Sequence, residues 1–334
     1  MRKIQKTIAR AAAHGRSEFD RNLLELCLEM RDAINSHRYP EIPEIPEIPE
    51  FNTEQYIDPR TTSVYHVGTA WWMYHTVKEA IDAINAAPVA PSSNDRRMVL
   101  IWPGFYESHE TVDVPGDVVV QGMSKRAATL YNPTSDMFRC VGERVYFFEL
   151  CMRGSLNEDI FLIDCNGKSD VRLDRVDMVG TSGVNTQKFL KQSGNTWNTL
   201  IIENLVISSA ATSGSMISLA NTSGASRNVG VQMTNVRSDM WQLSAAGRFL
   251  DLLDCQDIDL RNCHIRGNGT HCTGVRFQRA GGSSGTPYMG VQTTRFTCAV
   301  ALETTANTSV TLFNTYAKPI SGAGSVTSYN STTA

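Results

Sequence analysis

Along the second half of the chain, apolar and polar positions recur in an eight-residue pattern: apolar, x, apolar, x, a polar bend residue, apolar, x, usually apolar. It reads VYFFELCM from Val145, VRLDRVDM from Val171, LIIENLVI from Leu200, VQMTNVRS from Val231, IDLRNCHI from Ile258, VQTTRFTC from Val291 and VTLFNTYA from Val310. Successive starts lie 26, 29, 31, 27, 33 and 19 residues apart, so the loops vary while the strands do not. Positions one and three alternate as a strand does, position five interrupts, and positions six and eight restore the apolar face. That order predicts a strand, a bend and a strand. Position five is Asn204, Asn235, Asn262 and Asn314, with Glu149, Arg175 and Arg295 in the remaining repeats. Asparagine tolerates a left-handed backbone and hydrogen-bonds through its amide, so stacked bends predict a partial asparagine ladder. A further apolar segment follows most bends: IFLID from Ile160, KFL from Lys188, MISLA from Met216, RFLDL from Arg248, GVRFQ from Gly274 and AVALE from Ala299. Units of this size bury their apolar faces only by stacking. Three short strands per turn around a filled interior predict an all-β, single-stranded, right-handed parallel β-helix.

Upstream, HTVKEAIDAINAAP (His75 to Pro88) carries Val77, Ala80, Ile81 and Ile84 on one helical stripe. Such a helix covers the open end of a solenoid, whose bare strand edge would otherwise be sticky. It leads into RRMVLIWPGFYES from Arg96 and DVPGDVVVQGMS from Asp113. This succession resembles the pectin lyase-like superfamily of right-handed β-helices, which includes pectin lyases, pectin methylesterases and bacteriophage tailspikes. In that superfamily a capping helix precedes the first coil, a Pro-Gly-x-Tyr turn closes its first strand, and a strand ending in glycine opens the next. The resemblance spans about residues 64 to 330 and implies the fold; one fold hosts many chemistries.

The N-terminal region differs in kind. After the basic MRKIQKTIARAAAHGR, the segment SEFDRNLLELCLEMRDAINSHR offers Ser17 as an N-cap, with Leu23, Leu24, Cys27, Met30 and Ile34 as an apolar stripe. Residues 1–39 are expected to form a helical anchor arm that packs on another subunit or a partner. EIPEIPEIPE from Glu41, with Pro43, Pro46 and Pro49, favours a polyproline II rod, so 40–63 reads as an extended spacer and 64–330 as the β-helix.

Charge narrows the partners. With 31 basic and 34 acidic side chains among 334 residues, no basic field crosses the β-helix and nucleic acid is not expected. No apolar run follows Met1 and no stretch reaches membrane-spanning length, so neither a signal peptide nor membrane insertion is expected. The eight cysteines form no CxxC or His-Cys ligand run. They read as reduced, structural residues, with neither metal nor cofactor expected.

Glycan hydrolysis on this scaffold needs two carboxylates close together on the outer face. Outward positions supply Asp174, Glu203 and Asp259, with Asp177 on the neighbouring sheet. Asp174 and Glu203 share position four of successive coils, about one strand spacing apart, and are the sharpest catalytic candidates. Solvent-facing positions ordinarily hold polar residues, so a solvated face is the competing reading. The Gln-Asp-Thr-Leu, Asp-Phe-Ile-Phe-Gly and Leu-Gly-Arg-Pro-Trp segments of pectin methylesterases are only echoed, by DCQDIDL from Asp254 and NEDIFLID from Asn157, and the Arg-Pro-Trp turn is absent. A lyase reading nominates Arg172, Arg261 and Asp259. Trp71, Trp72, Tyr74 and His75 form an aromatic group before the helix, and Trp197 and Trp241 fall at longer insertions. Tyr146 and Phe148 occupy outward positions and suggest a partner. After Val310 the chain turns rich in Ser, Thr and Gly, predicting an irregular last coil or a loose end.

These features lead to the expectation of a largely non-catalytic virion protein, made in host cytoplasm and released by lysis. It would be a homotrimeric tailspike-like or capsid-decorating spike held to capsid, portal or tail through residues 1–50. The alternative is a spike that binds or cleaves host surface polysaccharide, by hydrolysis or elimination.

Overall fold

The computed structural model describes residues 61–333, apart from 72, 155–160, 180–187, 195–197, 210–213, 222–228, 241–246, 268–271 and 281–286. The expected arm over 1–39 and the Pro-rich rod lie outside the described residues, as do Trp72, Trp197 and Trp241.

Three parallel sheets of eleven, nine and eight strands wrap one interior, each strand bonded to its counterpart in the next coil. The chain forms a right-handed parallel β-helix. Positions one to four of the repeats build the eleven-stranded sheet, as in Val171–Asp174, Asn198–Glu203 and Ile258–Arg261. Positions six onward build the eight-stranded sheet, as in Asp177–Val179, Val206–Ser209 and His264–Gly267. The additional apolar segments, such as Arg248–Leu253 and Thr273–Gln278, build the nine-stranded sheet.

Every position-five bend is left-handed: φ is 53° at Glu149, Arg175 and Asn204, 56° at Asn235, 52° at Asn262 and 48° at Asn314. The sixth repeat departs from the sequence reading. Met289 pairs with Ile258 and Val291 with Leu260, so the repeat starts at Met289 and its bend is Thr293 at φ 47°, not Arg295. A two-residue slip leaves every side chain on its own face, which is why alternation alone misplaced this repeat. The last coil is regular too: Ser325–Tyr329 pairs with Ser309–Phe313, and Asn330 repeats the bend at φ 48°. Polar composition hid this strand because only Val326 in it is partly buried.

Inward positions are filled by apolar side chains, among them fully buried Phe138, Phe147, Phe189, Phe249, Phe277 and Phe296. Each contributes on the order of 1.5–3 kcal/mol through removal from water. Gly122 ends its strand where the Glu149 carbonyl oxygen would lie 2.4 Å from an added Cβ, so any side chain there would push adjacent coils apart. The capping helix runs Val77–Ala86, with Val77, Ala80, Ile81 and Ile84 buried as their spacing predicts. Thr76 and Glu79 close its start by a reciprocal capping box, which supplies acceptors for otherwise unpaired backbone donors.

Candidate active site

The outer face of the eleven-stranded sheet is set by the same alternation that fills the core. Leu173 and Ile202 point inward and are fully buried, which turns Arg172, Asp174 and Glu203 outward. Phe148, Asp174 and Glu203 are direct register partners on three successive strands, with Tyr146, Arg172 and Ile201 alongside two residues earlier. Two carboxylates and an aromatic ring therefore stand in one row across the coils. Neighbouring strands lie about 4.8 Å apart, close to the separation that retaining glycosidases need between their two carboxyl groups.

Bends and arginines hold this row. Arg172 Nη2 donates to Glu203 Oε2 at 2.6 Å. Arg175, on the bend, donates from Nε to Glu149 Oε1 at 2.7 Å and lies 3.7 Å from Asp174 Oδ2. Asn204 Nδ2 donates to Asp174 Oδ1 at 2.8 Å, and Asn235 Nδ2 donates in turn to Asn204 Oδ1 at 3.2 Å. The expected asparagine ladder thus exists over Asn204 and Asn235 and terminates on the candidate carboxylate. The Asp174 and Glu203 side chains keep 18% and 33% of their surface exposed, enough for a solute to reach them while their surroundings are partly dry. Glu203 is charge-paired to Arg172 at close range, whereas Asp174 is amide-bonded on Oδ1 with Arg175 only at 3.7 Å from Oδ2, so the two carboxylates stand in unlike environments. That asymmetry is what divides acid from base or nucleophile in a carboxylate pair.

Tyr146 and Phe148, expected as exposed partner-seeking rings, are half-buried and 6.1 Å apart. The Arg96 guanidinium lies 4.5 Å over the Tyr146 ring, Arg96 donates to its hydroxyl at 3.1 Å, and that hydroxyl donates to Asp170 Oδ2 at 2.9 Å. Burial first, and then the Asp170 hydrogen bond, pushes the Tyr146 phenol above its ordinary pKa. Phe147 is core. Of the other nominated residues, Asp259 accepts from Arg261 Nε at 2.7 Å within its own strand, two coils past Glu203. Asp177 is nearly fully buried, held by Arg126 and by Lys125 at 2.9 Å, and belongs to the structure of the coil. Asp254 and Asp257, in the DCQDIDL echo, occupy left-handed bends at φ 52° and 55° and do not join Asp174. Ion pairing of Arg172 with Glu203 and of Arg175 with Glu149 was not visible as a constellation in the sequence.

A solvent-open depression of about 320 Å³ lies elsewhere, between the capping helix and Tyr106, Leu130, Tyr131 and Phe138. Its lining is apolar apart from a few polar side chains such as Lys78 and Glu107, and it is remote from the carboxylate row, so binding there would not engage Asp174 or Glu203. Trp71 is almost fully exposed, whereas Tyr74 stacks on Tyr65 at 6.0 Å.

A scan of family models finds no match to this chain, and a search of curated proteins finds none. Solved structures do match. The rice weevil pectin methylesterase superposes with TM-score 0.54 at 12% identity, over 80% of this chain and 88% of that one. The Aspergillus niger pectin methylesterase gives TM-score 0.49 at 14% identity, over 80% and 86%. ORF18 of Geobacillus virus E2 gives 0.44 at 13%, over 77% of this chain and 56% of its own. The fold is shared; at such identities the likeness carries nothing further.

The expectation of a non-catalytic virion spike, with the viral, capsid-decoration and tailspike terms attached to it, is corrected: the shape shared above a TM-score of 0.5 is that of an esterase and not of a virion protein. Of the three, the rice weevil enzyme alone exceeds a TM-score of 0.5, and the viral match, at 0.44, carries no argument. The physical reason is local: the Tyr146 ring that suggested a docking face is held by Arg96 and Asp170 of neighbouring coils.

Proposed function

We propose that this chain binds and cleaves a polysaccharide on the outer face of its eleven-stranded sheet, with Asp174 and Glu203 as the reacting carboxylates. The observation that carries this reading is their side-by-side register on adjacent strands, flanked by Phe148. A linear glycan laid across the coils would meet Phe148 as a stacking surface, then the carboxylate pair, then Thr234 and Arg261 on the following strands. In the hydrolytic step Glu203, held in place by Arg172, acts as the nucleophile on the anomeric carbon, and Asp174 protonates the leaving glycosidic oxygen. Water then breaks the glycosyl-enzyme bond with Asp174 as base.

The test is incubation of the full chain with a panel of neutral and acidic polysaccharides, followed separately for new reducing ends, for unsaturated products and for released methanol or acetate. New reducing ends without unsaturation, lost in Asp174→Asn and Glu203→Gln, support the proposal. Unsaturated products or ester release that survive both substitutions would move the chemistry away from this pair. Absence of both binding and product release across the panel would overturn the reading.

A further inference from the structure

A second outward face lies on the eight-stranded sheet, away from the carboxylate row. Arg237, His264 and Arg295 are register partners on three successive strands, and Tyr316 bridges to Arg295 one coil further on. Asp239, Arg266 and Thr297 form the adjoining column two residues along. The intervening Ser238, Ile265 and Phe296 are fully buried, so both columns point outward. With strands about 4.8 Å apart, three arginines surround one imidazole within roughly two strand spacings.

Some arginines elsewhere on this protein grip a carboxylate with both arms. Arg139 bonds Asp113 at 2.7 Å twice, and Arg144 bonds Asp117 at 2.6 and 2.8 Å. Here Arg237 reaches Asp239 only at 3.5 Å, and Arg266 stands 3.7 Å from the same carboxylate. Arg295 lies 5.9 Å over the Tyr316 ring. Asp239 is thus paired with Arg237 and Arg266, and Arg295 adds a third guanidinium on the neighbouring strand. Two polar atoms of these columns, His264 Nε2 and Thr297 Oγ1, are buried and have no hydrogen-bond partner among the described residues. Buried polar atoms are ordinarily partnered, and a donor pair beside planar guanidiniums suits a tetrahedral oxyanion.

We propose that this face binds a sulfate or phosphate group, with Arg237, Arg266 and Arg295 as its positive wall and His264 and Thr297 as hydrogen-bond donors. Burial, followed by the charges of Arg295 and Arg237, holds the His264 imidazole below its ordinary pKa, with Asp239 opposing and Arg266 adding to the effect. An anion seated among these groups reverses the sign of the field, so its binding and protonation of His264 are linked.

The imidazole signals of the full chain, with His264 assigned by its loss in His264→Asn, are followed through a pH titration by NMR. Inorganic sulfate is compared with chloride at equal ionic strength, and with a sulfated oligosaccharide. A rise of roughly one unit in the His264 midpoint with inorganic sulfate, absent with chloride and absent in the Arg237→Gln/Arg295→Gln variant, supports a free-ion site. A rise produced by the sulfated oligosaccharide and not by the inorganic ion supports an ester on a larger ligand. An equal shift in chloride, or no shift with any of them, overturns the proposal. The other histidines in the same spectra report whether the double variant remains folded.

Discussion

The side-chain amide of Asn204 donates to Asp174 Oδ1 at 2.8 Å, one coil away, so a bend residue that shapes the backbone also orients a candidate reacting carboxylate. Asn235 extends the chain by donating to Asn204 at 3.2 Å. Structural and chemical roles meet in one ladder.

Replacing Asn235 by Val removes the amide and forces a β-branched residue into φ 56°. The expected destabilisation is about 1–3 kcal/mol, and Asn235→Gly is expected to recover the backbone part of that loss. Thermal or urea unfolding of the two variants checks it. An unchanged midpoint in Asn235→Val would count against the ladder.

Asp174→Asn and Glu203→Gln are expected to lower turnover by about a hundred- to ten-thousandfold if the pair performs acid-base and nucleophilic work. Arg172→Ala should reduce turnover as well, through Glu203, while changing stability by about 0–1 kcal/mol because the pair is partly exposed. Initial rates on the best substrate from the panel, measured beside unfolding curves, separate the two effects.

Asp177 is nearly fully buried between Lys125 and Arg126. Asp177→Ala removes the buried acceptor of two cations that still reach solvent, and a loss on the order of 1–3 kcal/mol is expected. Chemical denaturation is the measurement, with activity at the distant carboxylate row as the control.

Burial lowers the pKa of His66 from 6.5, and its Nδ1 accepts from Trp102 Nε1 at 3.2 Å, a bond that protonation at Nδ1 would remove. Burial lowers His264 likewise. The unfolded chain takes up protons near 6.5 that the folded chain refuses, so stability from these residues is present above that pH and declines as pH falls through and below it. Unfolding midpoints are expected to drop on mild acidification, and His66→Gln should flatten the slope.

Desolvation pushes the Cys263 thiol up to about 11. It should resist alkylation at neutral pH in the folded protein and react on unfolding, as peptide mapping after thiol labelling would report.

Much of this architecture was legible because a strand has a period of two and a stacked coil repeats its register. Val171, Leu200 and Ile258 could be placed inward, and Asp174 and Glu203 outward and adjacent, without coordinates. The same periodicity explains the error at the sixth repeat, where Met289 rather than Val291 starts the coil: a slip of two residues costs nothing in pattern and is resolved only by pairing across strands. The strand at Ser325–Tyr329 escaped notice because four of its five residues are exposed and supply no apolar alternation.

The sequence by itself determined the β-helix, its capping helix, the left-handed bends and the row on which two carboxylates stand, because each of these follows from local alternation and from residues suited to a bend. Tertiary structure decided which charges meet. Arg172 with Glu203, Arg175 with Glu149, the burial of Asp177 and the convergence of Arg237, His264 and Arg295 all join residues from different coils. Their contact depends on loop lengths that set each coil's register, and no local pattern encodes that distance.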